Sequence, residues 1–127
     1  TNQNLPALLL AQKAQEKAAR VGFDWPDIQG AYDKLAEELQ EFKEAQNEEE
    51  KAEELGDVLF SLVNIARMLD MDSENIMRKA TNKFIRRFND MEQVLEQNGQ
   101  EWQEYDLASL DLLWESAKAK EKKEKGK

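Results

Sequence analysis

Apolar residues recur at helical spacing along most of the chain. Ile76, Ala80, Phe84, Phe88, Met91 and Leu95 follow one another at steps of three or four and predict a helix over Ser73–Gln97. Tyr32, Leu35, Leu39 and Phe42 predict a second over Gln29–Gln46, and Leu55, Val58, Leu59, Leu62, Val63 and Ala66 a third, with a wide apolar face, over Glu49–Leu69. A first helix should run from Pro6 to Arg20 with Leu5, Leu8, Leu9 and Gln12 on one stripe, and a last from Leu107 to Lys120 with Leu110, Leu113 and Trp114 inward. The punctuation agrees. Gly22 and Asn98-Gly99 sit where helix-ending residues belong, Asp24 offers an N-cap before Trp25-Pro26, and Asp70-Met71-Asp72-Ser73 reads as a capped turn. Strand patterns are nearly absent, so the expected fold is an all-α bundle of about five helices within a single domain spanning residues 1–127.

With no cysteine and no histidine in 127 residues, disulfides, thiolate metal sites and imidazole-based catalysis are excluded. Any catalysis must use carboxylates, Lys, Arg, Tyr or a metal ion. A net charge of −9 argues against a general nucleic-acid binder. The longest apolar run, Leu8-Leu9-Leu10-Ala11, is too short to span a membrane, and the expected location is the cytoplasm. From Lys118 onward six lysines and two glutamates predict a disordered basic tail over 118–127. The chain opens on Thr1 rather than Met, as a piece of a longer protein would.

Two acidic pairs change the picture. Glu38 with Glu41, and Glu54 with Asp57, each have i,i+3 spacing and so share a helix face. The segment between them, Asn47-Glu48-Glu49-Glu50-Lys51, suits a short turn that folds the two helices back on each other. Four facing carboxylates repel unless a cation lies between them, and an all-oxygen set suits Mg2+. Beyond Asp57 the same stripe continues through Ser61 to Asn64, beside the broad apolar face. Acidic helix faces are commonly just solvated, and lysine–glutamate pairs are commonly weak surface pairs. Against that, Gly56 inside the helix costs about 1 kcal/mol relative to Ala, and a close helix approach would explain it. On the fourth helix Lys83 and Arg87 project together at i,i+4. A metal on carboxylates with cations nearby is what a polyphosphate ligand needs, and Trp114 or Trp102 adds a stacking surface for a base.

At these residues the chain closely resembles MazG-type nucleoside triphosphate pyrophosphohydrolases. Their pattern appears as Glu37-Glu38-Leu39-Gln40-Glu41 followed by Glu54-Leu55-Gly56-Asp57, with Asn64 and Asn82-Lys83-Phe84-Ile85-Arg86-Arg87-Phe88 after it. The opening Leu5-Pro6-Ala7-Leu8, the Val21-Gly22-Phe23-Asp24-Trp25 turn and the late Trp114 and Lys118 are similar to the C-terminal domain of tandem-domain members. One departure is Glu50, which stands where some relatives carry Lys, with Lys51 beside it.

The resemblance implies an all-α homodimeric enzyme that uses Mg2+, or Mn2+ in its place. It would cleave nucleoside triphosphates between the α and β phosphates, releasing monophosphate and pyrophosphate. Glu38, Glu41, Glu54 and Asp57 would form the metal and catalytic set, while Lys83, Arg87, Asn64, Trp114 and Lys118 would bind substrate. Glu37, off the Glu38–Glu41 face, would be an outer or surface acid. A dimer also fits helices whose apolar faces exceed what a chain of this size covers alone. Two rival readings stand beside it: a non-catalytic helical interaction domain, and a pyrophosphatase confined to one nucleotide, modified or not.

Overall fold

The computed structural model describes residues 4–125. They form α1 (Ala7–Arg20), α2 (Ile28–Glu44), α3 (Glu48–Met68), α4 (Ser73–Gln97), a 3-10 turn (Trp102–Glu104) and α5 (Leu107–Lys125). The expected all-α chain of five helices is what is found, and none of the described helices is long and apolar enough to cross a membrane.

Helix ends follow local chemistry. After α1, α3 and α4 the chain closes with the same pair of reversed hydrogen bonds: Gly22 and Phe23 N–H donate to Ala19 and Ala18, Asp70 and Met71 to Arg67 and Ala66, and Gly99 and Gln100 to Glu96 and Leu95. This closure needs a left-handed residue after the cap. Gly22 (φ 90°) and Gly99 (φ 63°) supply it, but at the end of α3 Asp70 adopts φ 57° despite its Cβ. The cap of α2 corrects the sequence expectation. Asp27, not Asp24, accepts from Gln29 N–H, because Trp25 and Pro26 fill the loop before the helix opens. Asn47 caps α3 through Glu50 N–H, and Asp72 accepts from Asn75 N–H at the start of α4.

The chain divides into two compact units, residues 1–77 and 78–127, with α4 running from one into the other. In the first, α2 and α3 form a helical hairpin joined by three residues, and α1 packs on α3. Ala31, Val58, Val63 and Ala66 are its buried apolar centre. Two glutamines of α1 fasten it. Gln12 donates to Met71 C=O (2.9 Å) and accepts from Ser73 N–H (2.8 Å), pinning the α3–α4 turn, and Gln15 donates to Phe60 C=O (2.9 Å).

In the second unit Met91, Leu95 and Ala117 are buried. Phe84 meets Trp114, Phe88 stacks on Trp102, and Arg87 and Asp90 bind Glu121 and Lys120 of α5. Those ion pairs account for the helix continuing to Lys125, where the sequence predicted a disordered tail from 118; residues 126–127 of that tail, like residues 1–3 of the expected domain, lie outside the described residues.

Gly56 also departs from expectation. A Cβ there would meet nothing within 4 Å among the described residues, so no helix of the same chain approaches it. The tight glycine is Gly30, where a Cβ would stand 2.8 Å from the Trp25 ring.

Candidate metal centre and nucleotide site

The α2–α3 hairpin brings the two acidic pairs together. Oxygens of Glu38, Glu54 and Asp57 lie within 4.8 Å of one another, and so do oxygens of Glu37, Glu38 and Glu41. Glu38 belongs to both groups and is 5% exposed, which few glutamates are. The helix period explains the pattern: on α2 residues 37, 38 and 41 cluster within one turn, and on α3 residues 54 and 57 do the same.

The electrostatics are unfavourable as they stand. The Oε2 atoms of Glu38 and Glu54 are both buried without a hydrogen-bond partner. Glu54 holds its proton more tightly than an ordinary glutamate, first because little water reaches it and then because Glu41, Asp57 and Glu38 surround it. Lys34 relieves part of this: its Nζ lies 2.8 Å from Glu38 Oε1 and 3.7 Å from Glu37. That hydrogen bond raises the proton affinity of Lys34 in turn. Carboxylate oxygens alone, converging with two acceptors unfilled, form a donor set for a hard divalent cation.

Sequence reasoning missed Lys34, although its i,i+4 offset from Glu38 was legible, and it set Glu37 outside a cluster that Glu37 in fact joins. Asn64 continues the α3 stripe two turns beyond Asp57. Its Oδ1 accepts from Arg67 Nε (2.8 Å), and Arg67 in turn grips Asp24 of the α1–α2 loop (2.5 and 3.2 Å). This guanidinium holds the Asp24 carboxyl below its ordinary proton affinity.

The remaining expected substrate residues belong to the second unit. Lys83 and Lys118 are exposed. Arg87 is not free, because its Nε donates to Glu121 (2.8 Å) and its guanidinium lies 5.3 Å from the Trp114 ring. Trp114 is half-buried against Phe84, with ring centres 5.3 Å apart.

The arrangement is an all-α domain with a helical hairpin on which carboxylates converge, and comparison with known proteins gives the family. Residues 28–91, which carry both acidic pairs and Lys83 and Arg87, match the MazG nucleotide pyrophosphohydrolase domain, and the chain belongs to that family. It is 49% identical over 117 residues to the nucleoside triphosphate pyrophosphohydrolase/pyrophosphatase MazG of Thermotoga maritima, covering 92% of this chain and 46% of that protein. It is 38% identical over 124 residues to the nucleoside triphosphate pyrophosphohydrolase of Escherichia coli K12, covering 94% and 47%. The chain thus spans about half the length of the curated relatives it matches.

Proposed function

We propose that this chain is the catalytic domain of a Mg2+-dependent pyrophosphohydrolase that converts nucleoside triphosphates, ribo and deoxy, to monophosphate and pyrophosphate. Such an activity cleans the nucleotide pool. The observation that carries this is the paired burial of unfilled acceptors on Glu38 and Glu54 inside the matched segment. Unpaired buried carboxylates are costly, and they persist where a ligand compensates them.

Glu38, Glu41, Glu54 and Asp57 would hold Mg2+, or Mn2+. Bound there, the ion would withdraw charge from the phosphate oxygens. One carboxylate, Glu38 or Glu41, orients the attacking water and takes its proton. Lys83 and Arg87 stabilise charge on the pyrophosphate leaving group, and for Arg87 this means exchanging Glu121 for a phosphate oxygen. Asn64, Trp114 and Lys118 contact the nucleoside portion or its phosphates.

The working unit is a homodimer. Leu55, Leu59 and Leu62 make a stripe along α3 that is 45–52% exposed, and Phe84 and Ile85 of α4 are similarly uncovered. A second copy would bury these faces. The proposed setting is the cytoplasm, where nucleoside triphosphates are made, and no nucleic-acid partner is expected of a chain with net charge −9.

The test is turnover and Mg2+ binding by Glu38→Ala, Glu54→Ala and Asp57→Ala. Loss of both in folded protein is expected. Normal turnover in all three would remove the acidic cluster from the mechanism. Lys83→Ala should weaken nucleotide binding, and an unchanged apparent affinity would end its phosphate role.

A further inference from the structure

Glu121, near the end of α5, faces two guanidinium groups of α4. Arg87 Nε donates to one of its oxygens at 2.8 Å, and Arg86 lies 3.8 Å from the other. The side chains of Arg87 and Glu121 are 14% and 20% exposed, so this pair is better shielded from water than the surface pairs that contribute almost nothing. Arg87 also lies over the Trp114 ring, its guanidinium carbon 5.3 Å from the ring centre. The guanidinium proposed to hold a phosphate therefore already holds an anion of its own chain.

Three observations mark the contact as exchangeable. First, Arg87 reaches Glu121 through a single hydrogen bond, whereas a guanidinium can offer two in parallel to a carboxylate or a phosphate. A phosphate met in that forked geometry makes the stronger contact. Second, α4 and α5 are joined without it. Phe84 meets Trp114, Phe88 stacks on Trp102 of the connecting turn, Lys120 binds Asp90 at 3.1 Å, and Ala117, one turn before Glu121, is buried. Third, a released Glu121 has a cation of its own helix to turn to, because Lys125 stands at i+4 on the same face, in the favourable order of acid before base.

We infer that Glu121 is an internal competitor for the phosphates that Arg87 binds, and that it sets how tightly the domain holds pyrophosphate. In the free protein the carboxylate occupies the guanidinium, and a triphosphate displaces it on binding. Once pyrophosphate has formed, the carboxylate returns to Arg87 and the product leaves. The affinity of any ligand that needs Arg87 is reduced by the fraction of molecules in which the arginine is open. A nucleoside monophosphate, which lacks the leaving-group phosphates, escapes this competition. Glu121 touches neither substrate nor metal; it is a positioning residue that acts through Arg87. The inference rests on the pyrophosphohydrolase reading for the identity of the ligand, but its test does not depend on turnover.

The test uses the full chain with inorganic pyrophosphate or AMP in Mg2+, calorimetry for affinity and circular dichroism for folding. Glu121→Gln keeps the size of the side chain and removes its charge, and Glu124→Gln, three residues on, is the control for charge alone. Glu121→Gln should bind pyrophosphate about tenfold more tightly, the factor expected if the arginine is open in roughly one molecule in ten. Its AMP affinity, and both affinities of Glu124→Gln, should match the parent. KM for the triphosphates should fall by the same factor as the pyrophosphate dissociation constant. Nitrogen-15 spectra of the unmodified protein give a second reading, in which the Arg87 Nε–H shifts on addition of pyrophosphate and not of AMP. Unchanged pyrophosphate affinity in folded Glu121→Gln, an equal gain for AMP or in Glu124→Gln, an Arg87 Nε–H that stays in place, or no pyrophosphate binding at all would overturn the proposal. If Glu121→Gln does not fold, the spectra decide. Turnover separates the two claims. Hydrolysis with unchanged pyrophosphate affinity in Glu121→Gln ends the competitor role alone, whereas the tenfold gain in a protein that hydrolyses no triphosphate upholds that role and ends the enzymatic reading.

Discussion

Lys34 Nζ lies 2.8 Å from Glu38 Oε1, at the edge of a cluster of acids that includes a glutamate almost wholly removed from water. The ammonium stands at the edge of the cluster, its own side chain 41% exposed, and satisfies only one of the two Glu38 oxygens. Lys34→Met should therefore lower stability in EDTA by about 1 kcal/mol, the size of a partly exposed pair. Saturating Mg2+ should recover much of that loss. Thermal melts with and without Mg2+ measure both effects, and a loss of the same size in both conditions would show that the lysine acts only through packing.

Glu54→Gln should separate stability from function. The amide removes one negative charge from a crowded, poorly hydrated position, so the melting temperature in EDTA should rise. The melting shift produced by Mg2+ should shrink, and turnover should fall by at least tenfold. A variant less stable than the parent in EDTA would show that the acids are not in conflict.

The Asp24–Arg67 pair should make stability depend on acid. Asp24 has a lowered proton affinity in the folded state, so its contribution is complete above the unfolded value, near 3.8, and fades as pH falls through the lower folded value. Asp24→Asn should accordingly destabilise the protein near neutrality and have little effect at the acid end. Urea melts at neutral pH and near pH 3 give the comparison, and equal losses at both would remove the ionic contribution.

At the end of α3, Asp70 occupies a left-handed position that Gly22 and Gly99 fill after α1 and α4. Asp70→Gly should relieve backbone strain and stabilise by up to about 1 kcal/mol, partly offset by the greater freedom of glycine in the unfolded chain. A destabilised variant would mean that the aspartate side chain does more there than tolerate its backbone.

The helices were legible because their apolar periods are long and their ends carry glycine, asparagine or aspartate. Ser73–Gln97 was read to the residue. Glu38, Glu41, Glu54 and Asp57 were legible because i,i+3 spacing forces each pair onto one face and the short connection forces the helices together. Asp24 was misjudged as a cap because an aspartate before Trp25-Pro26 looks like one locally, and only the fold shows that Arg67, 43 residues away, claims it. Gln15 was invisible for a related reason: its importance lies in a carbonyl on another helix. The basic tail was read as disordered from composition, whereas Arg87 and Asp90 hold the opposite charges on α5 in place. Local patterns thus determine elements and faces, while long-range polar contacts escape them.

The most direct test is pyrophosphate release from the eight common ribo- and deoxynucleoside triphosphates, in Mg2+ and in EDTA. Conversion of several of them to monophosphate and pyrophosphate in Mg2+, abolished by EDTA, is the predicted result. Folded protein that releases no pyrophosphate from any of them in Mg2+ would contradict it.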